Sequence, residues 1–177
     1  MAKWDFEHAF RVVVGDEGAY SNDKNDPGGE TRFGIDQASW RETQQRLPAD
    51  VRAAMPAHVR DLTFSQAEEV YLYAFWLHFQ CNGFPPPLAF ALFDAAVNPG
   101  PGWAPRALQS ALNVTVDGDI GPETLAAARR ADPAEVLAEF TRLRVLHYWQ
   151  QETFATFGKG LLLRSYRTVF VAGMLAA

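Results

Sequence analysis

The chain has 177 residues and a mass of 19.7 kDa, enough for one domain, or one with a small appendage, to bury a core without disulfide staples. Hydrophobic residues make up 48% and charged residues 21%, which excludes a disordered chain. The net charge of −5, from 16 basic and 21 acidic residues, lacks the basic surplus of a nucleic-acid binder. Cys81 is the only cysteine, so neither an internal disulfide nor a thiolate zinc cluster is available. The first residues carry charges throughout and lack the apolar core of a signal peptide. No apolar run reaches the roughly 18 residues of a membrane span. The expectation is a protein synthesised in the cytoplasm without a signal peptide or transmembrane segment. Charge is unevenly spread: residues 1–100 hold 8 basic and 14 acidic groups, and residues 101–177 hold 8 and 7.

In chain order the pattern is mostly helical. Phe6, Phe10, Val13 and Val14 recur at helical spacing, with Asp5 placed to cap and Gly18 to stop the helix. Residues 18–35 are rich in Gly, Asn, Asp and Pro and read as a long structured loop with a short β-hairpin near residues 31–35. Asp36 can cap a helix running to about residue 46, and a short helix fits 48–55. Thr63 with Gln66, or Ser65 with Glu68, gives a capping box for a helix ending near Cys81. Its faces carry Tyr71, Tyr73, Phe75, Trp76 and Phe79. Gly83 and Pro85 to Pro87 break the chain before an apolar helix over 88–97. The run Asn98-Pro99-Gly100-Pro101-Gly102 ends that helix, and another follows over 103–112. Gly118 and Gly121 mark a tight turn. Helices close the chain over about 123–131, 134–152 and 160–175.

Elimination narrows the chemistry. His8, His58, His78 and His147 show no metal-ligand spacing, and no H-E-x-x-H or G-x-S-x-G motif exists. Residues 23–28 lack the ligand pattern of a calcium loop: Pro27 takes a ligand position, and Gly34 stands where a closing Glu belongs. Cys81 reads as a buried, inert thiol. Carboxylates remain. Glu17 lies three residues after Val14, four after Val13 and seven after Phe10. If the first helix reaches it, its side chain leaves the apolar face, where the protonated form is favoured. A carboxylic acid kept protonated near neutral pH can protonate a leaving sugar oxygen. The loop beyond adds Asp23, Asp26, Glu30 and Thr31, which are either turn formers or the second group a glycosidase requires.

The run Glu17-Gly18-Ala19-Tyr20-Ser21-Asn22-Asp23, then Asp26-Pro27-Gly28-Gly29-Glu30-Thr31, then Phe33-Gly34-Ile35 resembles the opening signature of glycoside hydrolase family 108, a family of N-acetylmuramidases. Three further stretches resemble later landmarks of that family: Phe93-Asp94-Ala95-Ala96-Val97-Asn98 with Gly100-Pro101-Gly102, the turn from Val116 to Thr124, and Phe157-Gly158-Lys159-Gly160. Ala19, Asp16, Lys24 and Leu161 depart from the usual Gly, His, Pro and Trp. The resemblance implies a mainly α, lysozyme-like helical fold with a small β-hairpin after the first helix. It implies a catalytic muramidase lobe over 1–100 and a helical peptidoglycan-binding region over 101–177.

By the same resemblance Glu17 is the catalytic acid. Many phage lysozymes place a Glu at a helix end, an Asp nine residues on and a Thr shortly after; Asp26 and Thr31 match that order here and complete the expected catalytic set. Which of them is base, nucleophile or water-positioner stays open. Tyr20, Asp23 and Asn98 are the expected substrate contacts, and Tyr73, Trp76 and Trp103 are aromatics with either a core or a sugar-stacking role. The implied activity is cleavage of the β-1,4 bond between N-acetylmuramic acid and N-acetylglucosamine in peptidoglycan, as in an endolysin, with no cofactor and no metal. A lytic transglycosylase and a non-catalytic wall-binding phage protein are the alternatives. The implied partners are peptidoglycan glycan strands and a holin or secretion system that carries the enzyme to the periplasm or cell wall.

Overall fold

The computed structural model describes residues 5–15, 20–21 (backbone only) and 29–175. The chain forms two compact units, residues 1–78 and 79–177. This division falls before the 100/101 boundary expected for a catalytic lobe and a wall-binding region.

In the first unit α1 spans Phe6–Val14. Asp5 caps it, accepting from the His8 backbone N–H at 3.3 Å. The helix buries Ala9, Phe10 and Val13. Phe10 packs on Tyr71, Phe64 and Phe6 at ring-centroid distances of 5.3, 5.4 and 5.7 Å. The helix stops earlier than its apolar spacing implies: Gly15 takes φ +72° and its N–H closes on the Arg11 carbonyl at 3.0 Å. A glycine adopts this conformation without the Cβ clash that strains other residues, so the chain turns out at Gly15, not at Gly18.

Three two-residue strands follow: β1 (Tyr20–Ser21), β2 (Thr31–Arg32) and β3 (Ile35–Asp36). They pair antiparallel in the order β1-β2-β3. The expected hairpin is present as β2–β3, and β1 adds a third strand. Helices α2 (Trp40–Gln45), α3 (Ala49–Ala53) and α4 (Phe64–Tyr71) complete the unit. Of the two capping boxes legible in the sequence, Thr63 with Gln66 forms, at 3.2 Å and 3.0 Å. The helix expected to reach Cys81 does not run through unbroken. After Tyr71 it widens into a π-helical stretch, Leu72–Leu77, and Gln80 adopts φ +51° before a 3₁₀ turn at Cys81–Gly83.

The second unit centres on α5 (Pro86–Val97), whose residues from Pro87 to Ala96 are all buried. A helix apolar on every side is stable only when surrounded, and α6 (Ala104–Ala111), α8 (Pro133–Trp149) and α9 (Phe154–Met174) pack around it. Leu88, Phe90, Leu92 and Phe93 are at most 1% exposed, and burying each contributes about 1.5–3 kcal/mol. This packing is why α5 groups with the C-terminal helices. Helix α7 (Pro122–Arg130) closes the unit. Among the described residues no helix is long and apolar enough to cross a membrane.

Candidate active site

Of the expected catalytic residues Thr31 lies on β2, and Asp26 falls in the sequence between β1 and β2. Ser21 pairs with Thr31 and Tyr20 with Arg32, so the chain leaves β1 and returns on β2 at a fixed register. Thr31 in turn pairs with Asp36, and Arg32 with Ile35. The β2–β3 connection is two residues long, with φ +51° at Phe33 and +76° at Gly34. Positive φ at both central positions is the type I′ signature, the turn whose twist matches that of the flanking strands.

Phe33 is a costly choice there, since a left-handed φ strains a residue with a Cβ by about 1–2 kcal/mol. Its surroundings offset the cost. The Tyr71 hydroxyl donates to the Phe33 carbonyl at 3.0 Å, buried beneath the turn. The Phe33 ring meets Phe64 edge-on at 5.8 Å, and the Arg32 guanidinium lies 5.0 Å from its centroid. Gly34 is required twice over, for its φ and because a Cβ would stand 2.8 Å from the Tyr71 hydroxyl. Asp36 accepts from the Ser39 N–H at 2.8 Å and the Ser39 hydroxyl at 2.6 Å, fixing the exit toward α2. Gln37 Oε1 takes the Val59 N–H at 2.9 Å.

On this frame Thr31 is half-buried. Its Oγ1 reaches the Gly29 carbonyl only at 3.5 Å, beyond an ordinary O–H···O bond, and this is its one hydrogen-bond contact among the described residues. Glu30 beside it pairs with Arg60 at 3.4 Å. The buried Nε of Arg32 finds no partner among the described residues. Glu17, Asp23 and Asp26 lie outside the described residues, as does the side chain of Tyr20. The described helix α1 ends at Val14, three residues before Glu17 in sequence. A cavity of about 390 Å³ at that end of the helix is lined by Glu7, Phe10, Arg11, Gly15, Phe64 and Glu68.

Asn98 occupies a different setting, in the second unit. It caps α5, and its Oδ1 lies 2.8 Å and its carbonyl oxygen 3.0 Å from the Tyr148 hydroxyl, whose single proton serves one of them at a time. The carbonyl also accepts from Arg144. These contacts belong to a buried network around Asp94. Asp94 Oδ2 pairs with Arg144 at 2.7 Å and accepts from the Thr168 hydroxyl at 2.6 Å; Oδ1 pairs with Arg164 at 2.8 Å. Arg144 Nε also donates to the Tyr148 hydroxyl at 3.0 Å. Burial alone would raise the Asp94 pKa, but Arg164, Arg144 and Thr168 outweigh it and hold the carboxyl below its ordinary value. The network therefore ties α5, α8 and α9 together, and Asn98 with them. Sequence reasoning assigned Asp94 no role. The available signal was a lone charge in an otherwise apolar helix, which must find a counter-ion once buried.

The turn between α6 and α7 is likewise built from within. Gln109, 1% exposed, donates to Asp117 at 2.7 Å and the Asp119 carbonyl at 3.0 Å, and accepts from the Gly118 N–H at 2.8 Å. Gly118 takes φ +88°, and a Cβ there would meet the Arg106 guanidinium at 3.0 Å. The polar atoms of this turn thus satisfy one another. Trp103 is packed by Phe140 and His147 at 5.7 and 5.1 Å, and Trp76 is buried. Cys81 is fully buried, which pushes its thiol far up and leaves it unreactive.

The pattern of Glycosyl hydrolase 108 matches residues 10–100, which include the C-terminal half of α1, the sheet and the whole of α5. The chain belongs to glycosyl hydrolase family 108. A solved structure of SagA from Brucella abortus agrees, with a TM-score of 0.85 and 32% identity over 97% of this chain and 95% of that one. No curated protein matches the chain. The fold is thus the expected mainly α, lysozyme-like one, and family 108 membership makes the protein a glycoside hydrolase. The family match ends at residue 100 and does not extend to the turn around Gln109.

Proposed function

We propose that this glycoside hydrolase is a peptidoglycan hydrolase of the muramidase type. It cleaves the β-1,4 bond between N-acetylmuramic acid and N-acetylglucosamine, with Glu17 as general acid. The observation that carries the reading is the Ser21–Thr31 pairing inside the segment matched by the family. That pairing anchors both ends of the loop bearing Asp23 and Asp26. Glu17 is three residues before Tyr20 and two after Gly15 in sequence, so the acid, the loop and Thr31 are all tethered to one small sheet.

Such a site has what glycoside hydrolysis requires. One carboxylic acid protonates the leaving oxygen, and a second group serves the opposite face of the sugar as base, nucleophile or water-holder. Asp26 and Thr31 are the residues proposed for that second task, with Tyr20 and Asp23 toward the glycan. The test is Glu17→Gln on purified cell walls followed by turbidity. General acid catalysis is worth about 10²- to 10⁴-fold, so clearing slows by that factor while the far-UV spectrum is retained. Wild-type rates in the variant reject the assignment.

A further inference from the structure

Helix α9 (Phe154–Met174) has an inner and an outer face, and each has its own logic. The inner face buries Gly158, Ser165, Thr168 and Ala172 and is held by the bonds of Thr168 and Arg164 to Asp94. Small residues there let the helix lie close to its neighbours. At 100° per residue the opposite face carries Leu163, Phe170 and Met174, with Tyr166 beside them. All four are exposed, by 58–72%. From Leu163 to Met174 the stripe runs about 16 Å along the axis at 1.5 Å per residue. A surface helix normally turns charge outward, and an apolar stripe of this length on the outside marks an interaction surface.

Charge indicates what covers it. No acidic residue occurs from position 153 to the end of the sequence. Arg164 is committed to Asp94. Lys159 and Arg167 flank the apolar stripe on either side, and neither makes an ion pair among the described residues. A second copy docking helix on helix would bring these cations toward their own counterparts with no carboxylate on either helix to meet them. An anionic surface meets both. Tyr166, 72% exposed, is an amphipathic ring that favours an apolar–water boundary.

We propose that the outer face of α9 seats on an anionic phospholipid surface. The helix lies in the plane of the interface, its inner face still docked on α5. Leu163, Phe170 and Met174 enter the acyl boundary, and Lys159 and Arg167 remain at the headgroups. This surface is independent of the glycosidase site proposed above, and its test needs no activity.

The test is flotation of the full chain with vesicles of equal parts phosphatidylglycerol and phosphatidylcholine, against phosphatidylcholine alone. Wild type floats with the anionic vesicles only, and rising salt releases it. Lys159→Gln and Arg167→Gln each weaken partitioning about fivefold. The pair Leu163→Ser with Phe170→Ser weakens it roughly tenfold or more, with the melting curve of each variant checked against wild type. Because the two charge variants alter only exposed groups, they remain informative if the apolar pair unfolds. Absence of wild-type flotation overturns the proposal, as does flotation indifferent to all four substitutions. A wild-type dimer in sedimentation velocity that Phe170→Ser disperses assigns the face to a second copy and also overturns it.

Discussion

Asp94→Asn is the sharpest perturbation of the fold. The side chain of Asp94 is 1% exposed and that of Arg144 2% exposed, 2.7 Å apart. The substitution keeps the size and one acceptor but removes the charge. Arg144 is then left buried among neutral partners: Tyr148, Thr168 and the Asn98 carbonyl. Breaking a buried pair from one side costs about 3–5 kcal/mol. For a chain of this length each kcal/mol lowers the melting temperature by about 2–4 °C, so a loss of roughly 6–20 °C is expected by scanning calorimetry. Arg164→Met costs less, because that side chain is 23% exposed and its partner keeps Arg144. The double variant Asp94→Asn/Arg144→Met falls short of the sum of its singles, since removing the stranded cation removes its desolvation penalty. An Asp94→Asn protein that melts within 2 °C of wild type refutes the claim that this network ties α5, α8 and α9 together.

The other predictions follow from the same geometry. Asp94 titrates below its ordinary 3.8 in the folded state, so the unfolded chain binds more protons in that range and stability rises with pH there. The contribution is complete above about pH 4–5 and fades as pH falls through the lower folded value; acid melting curves of Asp94→Asn are accordingly shallower than those of wild type. Gly34→Ala combines a left-handed φ with a Cβ 2.8 Å from the Tyr71 hydroxyl and costs about 1–3 kcal/mol in urea unfolding. Adding Tyr71→Phe relieves the clash but not the backbone strain. Gln109→Leu strands the Gly118 N–H and leaves Asp117 held only by the Asp119 N–H, and hydrogen exchange accelerates at Gly118 as the turn loosens. Thr31→Ala leaves the melting temperature nearly unchanged, because its only bond within the described residues is long, yet slows wall hydrolysis on the order of 10²-fold.

Legibility in the sequence followed the range of the physics. Local signals were reliable: Asp5 and Thr63 cap the helices they precede, and the turn at Phe33 and Gly34 sits within the expected hairpin. The end of α1 was misplaced because Val13 and Val14 continue an apolar period that Gly15 cancels by backbone geometry alone. The break after Tyr71 was hidden for a related reason, as π-helical residues Leu72–Leu77 keep the aromatic pattern of a helix. Asp94 was visible as an oddity, but its partners Arg144 and Arg164 are 50 and 70 residues away, and no local pattern links them. At the candidate site the sequence names the residues, and the β1–β2 register adds what it could not: that Thr31 lies opposite Ser21.

The central claim is a muramidase whose acid is Glu17. Mass spectrometry of the soluble products released from purified peptidoglycan addresses it most directly. Wild type releases muropeptides with a hydrated N-acetylmuramic acid at the reducing end, and Glu17→Gln does not. Anhydro-muramic acid ends, N-acetylglucosamine reducing ends, or the same products at the same rate from the variant contradict the claim.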